Sequence, residues 1–143
     1  MTQLKSNTNP LKIAIIGSRG YPYVYSGYET LIKELSERLV KKDCEVTVYC
    51  HRSLFKEKPA LVNGIKLVYV PTIETKSLSQ FIHSFLSMFH AVVSDADVIF
   101  AVNAANGPFG LISKIFRKPT AINVDGLEWL RPKWKGLGAK YFK

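Results

Sequence analysis

Acidic residues are scarce in this chain. It carries 11 Asp and Glu against 20 Lys and Arg, a net charge of +9 over 143 residues. That imbalance points to anionic partners: phosphates, nucleic acid or an acidic membrane surface. Cysteine is scarcer still, with only Cys44 and Cys50. Two thiols do not make a disulfide-built secreted domain. No CxxC or Cys/His cluster suggests zinc, and His51, His83 and His90 lack the mutual spacing of metal ligands, so no metal is expected. No uninterrupted apolar run approaches the ~20 residues that span a bilayer. The opening MTQLKSNTNP is polar and has no signal-peptide core. A reducing cytoplasm is the expected setting. Neither GxGxxG nor GxxxxGK[ST] occurs, which counts against a dinucleotide oxidoreductase and a P-loop nucleotidase.

What is present reads as one folded α/β domain. Hydrophobic residues make up 47% and charged residues 22%, the balance of a globular core rather than of a disordered chain. Residues 1–10 read as a disordered tail. Residues 12–17 (KIAIIG) form an apolar run ending in Gly, as a central parallel strand requires. Strands are also predicted at 45–50 (EVTVYC), 65–70 (IKLVYV), 97–102 (DVIFAV) and 118–124 (KPTAINV). Residues 27–42 carry Leu31, Ile32, Leu35, Leu39 and Val40 at helical spacing, with Ser26 and Glu29 placed as a capping box. Further helices are predicted over 77–94 and 109–116. The alternation predicts a Rossmann-like parallel sheet with helices on both faces.

In such sheets ligands bind where the strands end. Three loops leave those ends: 17–29, 103–108 and 125–132. The first feeds a helix N-terminus, where free N–H groups and the helix dipole favour an anion. Gly17, Ser26, Gly27 and Tyr28 are therefore the candidates for contact with a diphosphate. Arg19 either binds an anion or lies in solvent. Tyr21, Tyr23, Tyr25 and Tyr28 offer rings for sugar stacking or simply pack the loop. Asn103 and Asn106 either read hydroxyls or form turns. Asp125 follows the last strand and serves as a base or as a loop-structuring residue, with Glu128 three residues on.

The stretch IAIIGSRGYPYVYSGYETLIKELSERLVKKDCEVTVYCHR resembles the opening of family-four (group 1) retaining glycosyltransferases. Those begin with a strand, a loop ending Gly-Gly-x-Glu, a helix and "HEVTVY". Ser26-Gly27-Tyr28-Glu29 matches the loop end, with Ser for the first Gly. YVPTIETKSL, AVNAANGPF and NVDGLEWLRPKW resemble the bacterial rhamnosyltransferase-like subfamily, and the likeness covers about residues 11–143. The resemblance implies the N-terminal, acceptor-binding half of a GT-B enzyme, without metal or other cofactor and with a nucleotide-sugar as donor substrate. It implies a polysaccharide or lipid-linked acceptor; by their loop positions Arg19, Tyr23, Tyr25, Asn103, Asn106 and Glu128 are the residues expected to contact it. It implies work in the cytoplasm, peripherally at the inner face of the plasma membrane. The chain departs from the pattern in two ways: the donor-binding domain is missing, and Asp125 stands where many relatives carry a His. WKGLGAKYFK (134–143) reads as the opening turns of a helix cut short, so the sequence is expected to be truncated before the donor half and inactive alone.

A stand-alone basic α/β module for phosphorylated ligands or nucleic acid is the competing reading. It calls for Lys and Arg clustered among aromatics on one face. Here the basic residues are spread along the chain, which counts against nucleic acid. Phe81, Phe85 and Phe89, at spacings of four, are either a lipid contact or a core stripe, and helical amphipathicity favours the core.

Overall fold

The computed structural model describes residues 9–22, 27–73, 75 and 78–124. Of the expected tail, only Asn9 and Pro10 fall among them, and both are exposed. The elements follow as β1 (Lys12–Ile16), α1 (Gly27–Val40), β2 (Glu45–His51), β3 (Leu61–Val62), β4 (Ile65–Val70), α2 (Leu78–Val93), β5 (Val98–Val102), α3 (Gly110–Ile115) and β6 (Thr120–Asn123). One sheet holds the six strands in the order β3-β4-β2-β1-β5-β6. Every pairing is parallel except β3 with β4. The α/β sheet expected from the alternation is the fold.

The apolar run of β1 is explained by its central place. Ile13 and Ile15 join Val46, Val48, Cys50, Ile65 and Leu67 in a layer under Ile32 of α1. Ala14 and Ile16 face the other way, packing with Tyr49, Val70, Ile99 and Ala101 against Met88, Ala91 and Val92 of α2. A strand covered on both faces loses the polar half of its alternation.

Four differences from the expected elements have physical causes. β3 was not anticipated; it pairs Leu61 with Lys66 and Val62 with Ile65 around Asn63-Gly64, whose φ values are 50° and 78°. Two successive positive φ angles are what a tight hairpin needs. The loop 103–108 is in part a short 3-10 turn, Ala104–Phe109, ahead of α3. α1 ends at Val40, before Lys41 and Lys42, and Asp43 closes the turn at φ 60°. The stripe Phe81, Phe85, Phe89 is not core: each ring is 44–49% exposed, and the side of α2 against the sheet carries His83, Ser84 and Ser87 instead.

Candidate functional site at the carboxyl edge of the sheet

Because the strands run parallel, β1, β2, β5 and β6 release their chains along one edge. β1 is followed by β2 on one side and flanked by β5 on the other. That makes the β1/β5 boundary the point where strand order reverses, the usual place for a ligand in such a sheet. An open cavity of about 490 Å³ lies at this edge on the β1–β2–β4 side of that boundary, lined by Arg19, His51, Ser53, Leu54, Thr75, Ser79 and Gln80. A smaller cavity of about 160 Å³ sits under the other end of α2, between Lys12, Thr47, Tyr49 and Asp95. It opens at the amino ends of the strands, away from the loops that carry chemistry.

The walls of the larger cavity are tied together. The His51 backbone N–H donates to the Arg19 carbonyl at 3.0 Å, joining the end of β2 to the β1–α1 loop. Gln80 Nε2 donates to the Gly17 carbonyl and to Ser84 Oγ, both at 3.3 Å, joining α2 to the same loop. The buried Glu29 of α1 accepts from the Arg19 backbone N–H at 3.2 Å. Glu29 thus reaches back to shape the loop at Arg19, and the Ser26 half of the expected capping box lies outside the described residues. Gly20 takes φ +131°, and a Cβ there would lie 2.8 Å from Cys50 Cβ and Sγ and 2.9 Å from Phe55. Only glycine fits.

Behind the cavity two imidazoles stack. The rings of His51 and His83 lie 3.7 Å apart at 16°. His51 is 5% exposed and His83 is fully buried. Among the described residues, His51 Nε2 and both ring nitrogens of His83 lack a hydrogen-bond partner. Burial pushes His51 below its ordinary value, Gln80 opposing the shift and the Arg19 charge adding to it. Burial, reinforced by His51, pushes His83 down to about 3. Both rings are therefore neutral near pH 7, and among the described residues that line the cavity Arg19 is the one cation. The lining suits a ligand rich in hydroxyls: Ser53, Thr75 and Ser79 can donate and accept, and Gln80, whose two N–H donors are committed to Gly17 and Ser84, can accept.

The predicted site residues distribute unevenly. Gly17, at φ +95°, ends β1 and offers its carbonyl to Gln80. Arg19 lines the cavity. Gly27 opens α1, and among the described residues nothing lies within 4 Å of an added Cβ. Neither packing among the described residues nor a positive φ accounts for that glycine. Tyr28 packs with the α1-side core, and Tyr21 is buried in the same cluster. Asn103, at φ 82°, donates its backbone N–H to the Asn123 carbonyl at 3.1 Å and ends β5 on the same sheet edge. Asn106 falls in the 3-10 turn, and its side chain lies outside the described atoms. Tyr23, Tyr25, Ser26, Asp125 and Glu128 lie outside the described residues.

Sequence reasoning missed His51, Ser53, Thr75, Ser79 and Gln80. For His51 the signal was parity: counting along EVTVYCH from the paired Val46 puts Thr47, Tyr49 and His51 on the α2 face, with His51 last, at the edge. Gln80 carried no such mark.

One family matches this chain: the domain of unknown function DUF1972, over residues 11–143. The chain belongs to that family. No curated protein and no solved structure matches it. The stretch matched by DUF1972 begins with β1 and takes in every element and loop described above.

Proposed function

We propose that this DUF1972 chain is the acceptor-binding half of a retaining glycosyltransferase of GT-B architecture, of hexosyltransferase or rhamnosyltransferase type. The sugar would pass from a nucleotide-sugar to a polysaccharide or lipid-linked acceptor. The observation that carries the reading is the cavity at the carboxyl edge. It is open, lined by hydroxyls and an amide, and fed by the first βα loop, part of the stretch that resembles those enzymes. Arg19, Ser53, Thr75, Ser79 and Gln80 would hold acceptor hydroxyls, with the neutral His51–His83 stack as a floor. The backbone at Gly27 would approach the donor diphosphate at the N-terminus of α1. Open space at Gly27 is consistent with a ligand being the reason for glycine there. Asp125, two residues after β6 in the sequence, is the candidate base or hydroxyl-orienting group. The donor nucleotide would be gripped by a second Rossmann-like domain across a cleft.

Binding tests this directly. Titration of the chain with glycans, followed by ligand-observed NMR, should show contact that weakens at least tenfold in Arg19→Ala and in Gln80→Ala. Nucleotide-sugars should bind weakly to this half alone. Tight nucleotide-sugar binding with no glycan contact would overturn the assignment of an acceptor half.

A further inference from the structure

Helix α2 has its polarity reversed. Toward the sheet it buries His83, Ser84 and Ser87 along with Met88, Ala91 and Val92. Outward it presents Leu78, Phe81, Phe85, Phe89 and Val93, each 44–58% exposed. A surface helix ordinarily does the opposite. The ridge continues onto the next element, where Leu111, Ile115 and Phe116 are 45–77% exposed. Edge-on contacts join the two parts: Phe81 and Phe85 against Phe109, and Phe89 against Phe116. A contiguous apolar ridge of this kind on a soluble domain marks an interaction surface.

Charge identifies what covers it. Neither α2 nor α3 contains an Asp or Glu. Lys114 and Arg117 stand exposed beside Ile115 and Phe116, and among the described residues neither forms a salt bridge. Lys118 is differently used, donating to the Ser94 and Ala96 carbonyls at 3.0 and 2.6 Å. Aromatic rings bordered by cations, with no anion in either helix, match an anionic lipid surface: the rings enter the headgroup boundary while Lys and Arg meet phosphates. A second copy across a twofold axis would oppose the same apolar ridge and the same cations. Residues 125–143, with five Lys and Arg against two Asp and Glu, carry that sign too. No helix among the described residues is long and apolar enough to cross a membrane, so the mode is lying on the surface.

We infer that the α2–α3 ridge, through Phe81, Phe85, Phe89, Ile115 and Phe116 with Lys114 and Arg117, docks this chain on an anionic membrane. The first turn of α2 also supplies Ser79 and Gln80 to the cavity, so docking would hold the cavity rim near the lipid surface. The inference stands apart from the glycosyltransferase reading, because glycan binding and lipid binding can fail separately.

Co-sedimentation of the full chain with phosphatidylcholine vesicles, with and without phosphatidylglycerol, tests it. Binding is expected only to the anionic vesicles, and to fall at high salt. The double variant Lys114→Glu, Arg117→Glu should bind at least about tenfold more weakly. Phe85→Ser with Phe89→Ser should do the same at low salt, with an unchanged melting curve, since both rings are half exposed. If that variant fails to fold, the charge reversal decides alone. Three results would overturn docking: equal binding to neutral and anionic vesicles, no effect of charge reversal, or a dimer in light scattering that the Phe variant dissolves.

Discussion

At Gly20 the backbone lies at φ +131° and the space a side chain would need is filled by Cys50 and Phe55. At Gly27 no described residue stands where a side chain would go. The two glycines of one loop therefore make opposite predictions. Gly20→Ala should destabilise by about 2 to 4 kcal/mol, from overpacking and an unfavourable dihedral together. Gly27→Ala should leave the fold intact or raise the melting temperature slightly, since alanine is the better helix former. Denaturation curves on the two variants check both, and a destabilised Gly27→Ala would show that the glycine serves the fold. The stacked histidines make a third prediction. His83 titrates at about 3 in the folded chain against an ordinary value of 6.5. Its folded value is depressed, so its contribution is fully present above about pH 6.5. It is lost as pH falls through the window from 6.5 toward 3, because the unfolded chain takes up the proton first. Between pH 7.5 and 5.5 one such group costs ~1.4 kcal/mol. Urea midpoints at the two pH values measure it, and His83→Asn should flatten the dependence.

Among the elements, the β1–α1 loop is pinned by a side chain that sequence alone assigned two ways. The buried Tyr21 donates its hydroxyl to Glu37 of α1 at 2.7 Å and accepts from Asn63 of the β3–β4 hairpin at 2.9 Å. The ring is therefore loop packing, not a sugar platform. Tyr21→Phe, which keeps the packing and removes both bonds, should cost ~1–2 kcal/mol in chemical denaturation. The hairpin carried a local mark but was not anticipated. Asn63-Gly64 is the strongest short hairpin signal, but strands of two residues are too short for a periodicity window to register. The parallel sheet was fully legible, because β1, β2 and β5 are long apolar runs separated by helical patterns. The orientation of α2 was not. Its aromatic spacing of four marks one face of a helix but carries no sign for inward or outward, and hydrophobicity assigned the wrong one. Most of the cavity was hidden for a related reason. Its lining is drawn from four separate segments, residues 19, 51–54, 75 and 79–80, brought together only by parallel pairing. Local pattern marked Arg19 alone.

At the scale of the whole molecule, the cavity has walls on the sheet side and opens outward. Under the proposed reading the opposite wall belongs to a donor-binding domain, and the reacting atoms meet only between the two. Holding both reactants in place is worth about 7 to 11 kcal/mol of a barrier. With one wall only, nearly all of that is lost, whatever affinity the chain keeps for its acceptor. The 143-residue chain, mixed with nucleotide-sugars and lipid-linked acceptors, should therefore give background counts in a radiolabelled-sugar transfer assay. Joined to a donor-binding domain, it should turn over. In that joined form Gly27→Val should lower kcat severely without lowering the melting temperature, because the added side chain would stand in open space where the diphosphate approaches. Clear turnover by the chain alone would mean that it holds both substrates itself, and the acceptor-half reading would fail. Normal turnover by Gly27→Val in the joined form would instead leave that reading standing and remove α1 from the donor site.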